Sequence, residues 1–341
     1  MVQAILDELE GVIGPEDVTI LIATGTHRAN TDDEIRAMLG DEIASACRVV
    51  NHVARDESSL INLGVVGNGV PLKLNREWTE ADLKITTGFV EPHFFAGFSG
   101  GPKMVAPGLA GIDTVVMLHD AARIGHPNAT WGVIEGNPVH EDVRAIARAA
   151  APDFSMDVLL NSDQEVTAVY AGELFAMHAD ACAQARLDSM QPIANPFDLV
   201  ITSNSGFPLD QNLYQAVKGM SAAARVAKPG GVIVCAAECR DGIPDHGSYS
   251  EILTSRPDPA SLLEMIESPG YSKPDQWQVQ VQAKIQMQAR VLVKADRLSD
   301  SQIQAAHFEP VDDIQSIIDH VGIDASICVL PEGPQTIPYI A

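Results

Sequence analysis

The chain has 341 residues, 46% of them hydrophobic, and its 46 Asp and Glu against 22 Lys and Arg give a formal net charge of −24. The length suggests about two globular domains, and the negative charge argues against sequence-independent binding to nucleic acid or to an anionic membrane surface. No apolar run approaches the roughly 18 residues of a membrane span, the start is too acidic for a signal peptide, and five scattered cysteines indicate reduced thiols in a cytoplasmic protein.

Strands and helices alternate through the first half of the chain. Thr19–Thr24 is predicted as a strand, and Thr31–Leu39 as a helix with Thr31 as its N-cap. The next predicted elements are strands over 49–53 and 83–87, a glycine-rich loop over 97–108, a helix over 137–150, strands over 156–160 and 166–170, and a helix over 173–187.

Two prolines between Gln191 and Pro196 predict a break in regular structure, after which a second alternation begins. Its predicted strands cover 198–202, 232–236, 291–294 and 327–330, and its helices cover 212–227, 259–267 and 275–288. Because strands alternating with helices form parallel sheets with right-handed crossovers, the sequence predicts an α/β protein with mostly parallel sheets. The two predicted α/β domains are residues 1–192 and 193–341.

Ligands of α/β sheets bind beyond the carboxyl ends of strands, and three segments fit that position, the third being Met117–Asp120 with His119. Thr24–Arg28 follows the first predicted strand and puts His27 at its tip, with a purely structural capping role as the alternative. The second segment, Glu91–Lys103, combines an acid, a histidine, three aromatic residues, small residues and a lysine; its candidate site residues are His93, Ser99, Gly100, Gly101 and Lys103.

Glycines let a backbone approach a ligand closely, and a lysine beyond them can bind phosphate or act as a nucleophile. The segment is not a P-loop, because Pro102 and Met104 stand where that motif needs Gly and Ser or Thr, and no dinucleotide fingerprint follows a strand. A structural glycine turn with a surface lysine is the alternative.

His119 follows an apolar helical stretch and, together with His27 and His93, is a candidate metal ligand, since imidazole suits nickel, zinc and copper. The chain has no HExxH motif and no cysteine quartet. Taken alone, His119 would be an ordinary structural histidine. The remaining histidines with no motif around them are predicted to lie at the surface: His52, His178, His246, His307 and His320.

In the second half, Leu209–Met220 carries an apolar stripe and a separate polar stripe formed by Gln211, Gln215 and Lys218. An amide and an ammonium without acidic neighbours suit a carboxylate-bearing ligand, although a solvated helix face has the same pattern. Trp277 could bring an indole to the same place, or pack in a core.

These segments resemble the nickel-pincer lactate racemase family. The resemblance rests on Thr24–Arg28, Glu91–Lys103, His119, Leu209–Met220 and Pro274–Trp277, which occur in the family's order and spacing. It extends over essentially the whole chain, and the two long blocks make it specific.

The resemblance implies an active site in the cleft between the two domains and a nickel-pincer nucleotide, a pyridinium bisthiocarboxylic acid mononucleotide that holds nickel through one carbon and two sulfurs. It implies His119 as the protein ligand of nickel and Lys103 as the cofactor tether, and the adjoining Ser99, Gly100 and Gly101 are expected to line the cofactor site. His27 and His93 would exchange the hydroxyl proton, while the expected substrate contacts are Gln215, Lys218 and Trp277.

The implied function is racemisation or epimerisation of a small, lactate-like 2-hydroxy acid by reversible hydride transfer to the cofactor. The sequence does not say which acid, and homo-oligomer formation is left open. Two departures stand out: the family's upstream Asp-x-x-Arg-Pro segment is missing, and Ala29 replaces a common proline. They motivate an alternative, a catalytically silent or truncated member that binds a nucleotide or hydroxy acid. A nicotinamide dehydrogenase is disfavoured.

Overall fold

The computed structural model describes residues 1–244 and 247–341. The strands are β1 (Thr19–Ile22), β2 (Arg48–Asn51), β3 (Leu60–Val66), β4 (Val70–Asn75), β5 (Ile85–Phe89), β6 (Pro92–His93), β7 (Gly97–Phe98), β8 (Phe154–Leu160), β9 (Val166–Gly172), β10 (Met190–Ile193), β11 (Phe197–Ser203), β12 (Ala227–Ala236), β13 (Arg290–Lys294), β14 (Glu309–Pro310), β15 (Ile327–Leu330) and β16 (Ile337–Ile340). The α-helices are α1 (Val2–Leu9), α2 (Asp32–Leu39), α3 (Asp41–Ala46), α4 (Arg76–Glu80), α5 (Ile112–Leu118), α6 (Ala121–Gly125), α7 (Pro138–Ala149), α8 (Leu174–Ser189), α9 (Leu213–Ala224), α10 (Tyr249–Thr254), α11 (Pro259–Ile266), α12 (Gln276–Gln288), α13 (Asp300–Ala305) and α14 (Ile314–His320).

The chain forms two compact units. The first consists of Met1–Glu91, Phe98–Leu118 and Ile134–Gln184, and the second of Pro92–Gly97, His119–Val133 and Ala185–Ala341. The sequence placed one boundary at 192/193, whereas the contacts divide the chain at 184/185 and give two early segments to the second unit.

Side chains of α12 show why one of these early segments belongs to the second unit. The Gln280 Nε2 donates to the Ala121 carbonyl oxygen at 2.9 Å, and the Lys284 Nζ donates to the Gly125 carbonyl oxygen at 3.0 Å. Trp131 Nε1 also donates to the Ser221 Oγ of α9 at 3.0 Å. No local sequence pattern announces these long-range contacts.

The first unit contains small sheets. β1 pairs with β2 in parallel, β5 pairs with β8 in parallel, and β8 pairs with β9 antiparallel. β3 and β4 form an antiparallel hairpin that the sequence analysis did not predict. Its second strand is the more deeply buried, because Val70, Leu72 and Leu74 alternate inward and are fully buried.

The second unit is built on a five-stranded parallel sheet in the order β14-β13-β12-β11-β15. Alternate residues of these strands point to opposite faces of the sheet and pack in two hydrophobic cores, as expected of a parallel sheet covered on both faces. One core joins Val200, Ile233 and Val293 to residues of α9 and α12. The other joins Leu199, Val234 and Leu292 to apolar residues of α14. The prediction of an α/β fold with mostly parallel sheets is therefore confirmed.

Local signals located several boundaries well. Thr31 caps α2 in a complete capping box, in which its side chain accepts from the Glu34 N–H and the Glu34 carboxylate accepts from the Thr31 N–H. The predicted break over residues 191–196 was wrong in its first half, because Pro192 lies inside β10, which pairs in parallel with β16; residues 194–196 do interrupt the regular structure. A proline is tolerated in β10 because its missing N–H costs nothing on the unpaired side of a strand.

None of the helices within residues 1–244 and 247–341 combines the length and the apolar character required to cross a bilayer.

Candidate active site

The His27 loop of the first unit is tied to the chain around Gly108. The Gly25 N–H donates to the Gly108 carbonyl oxygen at 2.9 Å, and the His27 N–H closes a turn on the Thr24 carbonyl oxygen at 3.0 Å. The Gly108 N–H in turn donates to the Lys103 carbonyl oxygen at 3.1 Å. Two segments that the sequence singled out separately, those of His27 and Lys103, are thus joined by backbone hydrogen bonds.

His52 supports this loop from inside, which contradicts its predicted surface position. It is fully buried, its Nε2 donates to the Ala110 carbonyl oxygen at 3.0 Å, and its Nδ1 accepts from the Asn75 side chain at 3.1 Å. Its carbonyl oxygen accepts from the Thr24 hydroxyl at 2.5 Å. Burial lowers the pKa of His52, so the neutral ring bridges three parts of the first unit.

Lys103 lies in a 3-10 helix over Gly101–Met104, and its N–H donates to the Gly100 carbonyl oxygen at 3.1 Å. The side chain of Ser99 accepts from the Glu91 N–H at 2.9 Å and donates to the Phe89 carbonyl oxygen at 3.0 Å. These bonds fasten the turn to the end of β5. Lys103 itself is half-buried.

His178 of α8 lies behind the same turn and is also buried, so its predicted surface position is wrong. Its Nε2 donates to the Ser99 carbonyl oxygen at 2.9 Å, and its ring stacks on that of His140 with centroids 6.0 Å apart. His307 is half-buried, His320 is exposed, and His246 lies outside the described residues.

Burial lowers the pKa of His178 to about 4, with the positive charges of Arg144 and Lys103 adding to the shift and the bond to Ser99 opposing it. An unfolded histidine has a pKa of about 6.5. Between these two pKa values the imidazole is protonated in the unfolded chain but neutral in the folded one. We therefore expect the free energy of unfolding to fall as the pH drops from about 6.5 towards 4, with this ring contributing about 2–3 kcal/mol.

Urea unfolding at about pH 7 and about pH 4.5 measures this contribution. His178→Gln should lose less stability between the two pH values than the wild type, whereas His320→Gln, a change at an exposed helix end, should match the wild type. Equal losses in all three proteins would refute the assignment.

In the second unit, His93 sits in a tight turn of its own segment. Its Nδ1 accepts from the Ala96 N–H at 3.2 Å, so the neutral ring carries its proton on Nε2. The ring lies edge-on to that of Phe95, with centroids 4.5 Å apart.

His119 lies between two aromatic rings of the second unit. Its centroid is 5.1 Å from that of Phe95, in an edge-to-face arrangement, and 4.7 Å from that of Trp277. Only 7% of the residue is exposed. Phe95 thus contacts both His93 and His119, and it connects two histidines that are distant in sequence.

Trp277 is oriented by a hydrogen bond from its Nε1 to the Tyr214 Oη at 3.0 Å. Tyr214 is the second residue of α9, and Gln278 fixes it further by donating to its carbonyl oxygen at 2.5 Å. Gln215 and Lys218 lie on the same helix and are half-buried, while Leu213, Ala216, Val217 and Met220 form its fully buried stripe. The predicted apolar stripe is confirmed, whereas Gln211 of the predicted polar stripe precedes the first residue of α9.

The structure therefore groups the predicted site residues into two sets. His27, Lys103 and the Ser99–Gly101 turn belong to the first unit, whereas the second unit holds the others: His93, His119, Gln215, Lys218 and Trp277. Within residues 1–244 and 247–341, no three His, Cys, Asp or Glu side chains converge in a way that could hold a metal ion.

Sequence reasoning missed several supporting residues of these sets, among them His52, His178, Tyr214 and Asp157. Asp157 had the clearest signal, because it stands among apolar residues at an inward position of a strand. A buried histidine has no such signal, since its surroundings come from distant parts of the chain.

Comparison with known proteins gives matches along the whole chain. The lactate racemase N-terminal domain profile matches residues 1–132, and the lactate racemase C-terminal domain profile matches residues 193–337. Lactate racemase of Thermoanaerobacterium thermosaccharolyticum is 36% identical over 342 aligned positions, covering 98% of this chain and 79% of the relative. Lactate racemase of Lactiplantibacillus plantarum is 36% identical over 335 positions, covering 96% and 78%.

Comparison with solved structures also gives matches over nearly the whole chain. The lactate racemase apoprotein from Thermoanaerobacterium thermosaccharolyticum superposes with a TM-score of 0.93 at 34% identity, covering 99% of this chain and 82% of that one. A Thermotoga maritima protein of known crystal structure has a TM-score of 0.73 at 18% identity, covering 95% of this chain and 86% of that one, and shares the fold alone.

Fold and relatives together define an α/β isomerase of the racemase class. The chain belongs to the lactate racemase family.

Proposed function

We propose that this protein racemises or epimerises a small, lactate-like 2-hydroxy acid with the help of a nickel-pincer nucleotide tethered to Lys103. The observation that carries the proposal is the surroundings of His119: one buried imidazole between Phe95 and Trp277, in a family of racemases. The finer assignments of residues to cofactor and substrate follow from the resemblance of the motifs.

The residues present suit that cofactor. A metal bound at His119 would need further ligands from outside the protein, because no cluster of three protein ligands occurs in the described part of the chain. A cofactor that brings its own carbon and sulfur ligands meets this need, and imidazole is a suitable fourth ligand for nickel. Lys103 provides positive charge for an anionic group. Its charge, like that of Arg144, also lowers the pKa of His178 behind the turn.

The hydrogen on C2 of a 2-hydroxy acid is too weakly acidic to leave as a proton beside a carboxylate. When bound, the cofactor supplies a hydride acceptor at this carbon. His27 and His93 exchange the hydroxyl proton, one for each enantiomer, and the Nε2 of His93 is the atom assigned to it. Gln215 and Lys218 hold the substrate carboxylate, and Trp277 shields the reacting centre from water.

A panel of chiral 2-hydroxy acids tests the proposal, with cofactor-loaded protein and chiral chromatography as the readout. Lactate, malate, aromatic lactates and sugar acids vary the group on C2, and protein that has not received cofactor is the control. We expect at least one acid to lose its enantiomeric excess only with loaded protein. Stoichiometric nickel with no racemisation of any acid would instead identify a silent, ligand-binding member of the family.

A further inference from the structure

The turn that carries Lys103 has a backbone that only glycine adopts easily. Gly100 has φ +69° and Gly101 has φ +48°. A Cβ on Gly100 would lie 2.7 Å from the Asp157 Oδ2, and a Cβ on Gly101 would lie 2.3 Å from the His178 Cδ2. Both glycines are therefore required by close neighbours as well as by conformation. Asp157 and His178 are among these neighbours, with Phe89 and Val90 also close to Gly100.

Asp157 projects from β8 and is fully buried. Its Oδ2 accepts from the Gly101 N–H at 2.6 Å, while its Oδ1 has no hydrogen-bond partner among the described residues. A buried carboxyl oxygen without a hydrogen-bond partner lowers the stability of a fold. The bond to Oδ2 is directed at the peptide group between Gly100 and Gly101.

His178 approaches the same turn from α8 and donates to the Ser99 carbonyl oxygen at 2.9 Å. The two peptide groups that flank Gly100 are therefore both held from behind, one at its oxygen and the other at its nitrogen. The 3-10 bond from the Lys103 N–H to the Gly100 carbonyl oxygen transmits this restraint to Lys103.

We infer that Asp157 and His178 are positioning residues for Lys103: they fix the glycine turn so that the amine is presented in one place. The inference rests on the proposed role of Lys103 as the cofactor tether. Groups that orient a metal-binding side chain from behind typically change metal affinity or activity about 10–100-fold when they are removed, and we take the lower end of that range as the scale for Lys103.

The test uses apoprotein and the amine reactivity of Lys103. Acetic anhydride labelling is followed by peptide mass spectrometry and normalised to the exposed Lys284. In Asp157→Ala the turn is released, and we expect Lys103 labelling to rise about tenfold. Asp157→Asn keeps an oxygen that can accept from Gly101, so it should label like the wild type.

Ser155→Ala is the matched control. Ser155 lies on the same strand and the same inward face and is fully buried. Its side chain accepts from the Thr86 hydroxyl at 2.8 Å, and among the described residues it makes no side-chain hydrogen bond to the turn. Equal Lys103 labelling in Asp157→Ala and Ser155→Ala, or equally fast labelling in Asp157→Asn and Asp157→Ala, would overturn the inference.

If Asp157→Ala does not fold, His178→Phe decides, because it keeps an aromatic ring and removes the donor to Ser99 together with the ring nitrogens beside the Cys182 thiol. Faster labelling supports the inference, and wild-type labelling overturns it. Because no cofactor is present, the labelling result stands whatever Lys103 binds. Intact mass of cofactor-supplied wild type tests the tether separately, since a missing adduct on Lys103 would refute the proposed function and leave the positioning result intact.

Discussion

Replacing either His27 or His93 by glutamine should slow racemisation in both directions by about 10²–10⁴-fold, the range that general acid–base catalysis contributes. Each turnover needs one group to take the hydroxyl proton and another to return one on the opposite face, so losing either histidine blocks both directions. Initial rates from each pure enantiomer give the measurement.

Two controls separate chemistry from folding in this experiment. His320→Gln changes an exposed histidine at the end of α14 and should leave both rates unchanged. Nickel content of the loaded His27 and His93 variants should equal that of the wild type, because neither is assigned as a ligand. A variant that keeps more than about a tenth of the wild-type rate would remove that histidine from the acid–base pair.

Replacing His119 by alanine should remove nickel from the loaded protein and lower racemisation by at least about a hundredfold, because His119 is the one side chain assigned to the metal. Metal analysis after gel filtration measures the nickel-to-protein ratio. The cofactor should still be attached to Lys103 in this variant, so intact mass distinguishes loss of the metal from loss of the whole group.

The matched control is His126→Ala, an exposed histidine in the same His119–Val133 segment. It should retain nickel. Undiminished nickel in His119→Ala would mean that another group binds the metal, and the assignment would then fail even if activity were reduced.

The sequence was most informative where one local rule determined the structure. The Thr31 capping box located the start of α2, and the apolar spacing from Leu213 to Met220 located the buried face of α9. The β3–β4 hairpin was overlooked although the turn Gly67-Asn68-Gly69 is a strong hairpin signal. There, Asn62 and Gly64 weaken the alternation in β3.

Other features depended on contacts that no local rule describes. His52 has the same kind of sequence neighbours as a surface histidine, and only the folded chain brings Asn75 and Ala110 to its ring. The contacts of His93 and His119 with the same Phe95 ring likewise arise only in the folded chain. Residue chemistry grouped those histidines as candidate ligands, but no sequence pattern showed that their rings share a neighbour.

The membership of Pro92–Gly97 and His119–Val133 in the second unit has a consequence for gene engineering. A fragment starting near residue 193 would leave behind the His119 ring that packs on Trp277 and the Ala121 and Gly125 carbonyl oxygens that accept from Gln280 and Lys284. Chimeras spliced at mid-chain between two homologues would likewise combine aromatic packing from one parent with helices from the other. Productive recombinants should therefore inherit these two short stretches together with the C-terminal half.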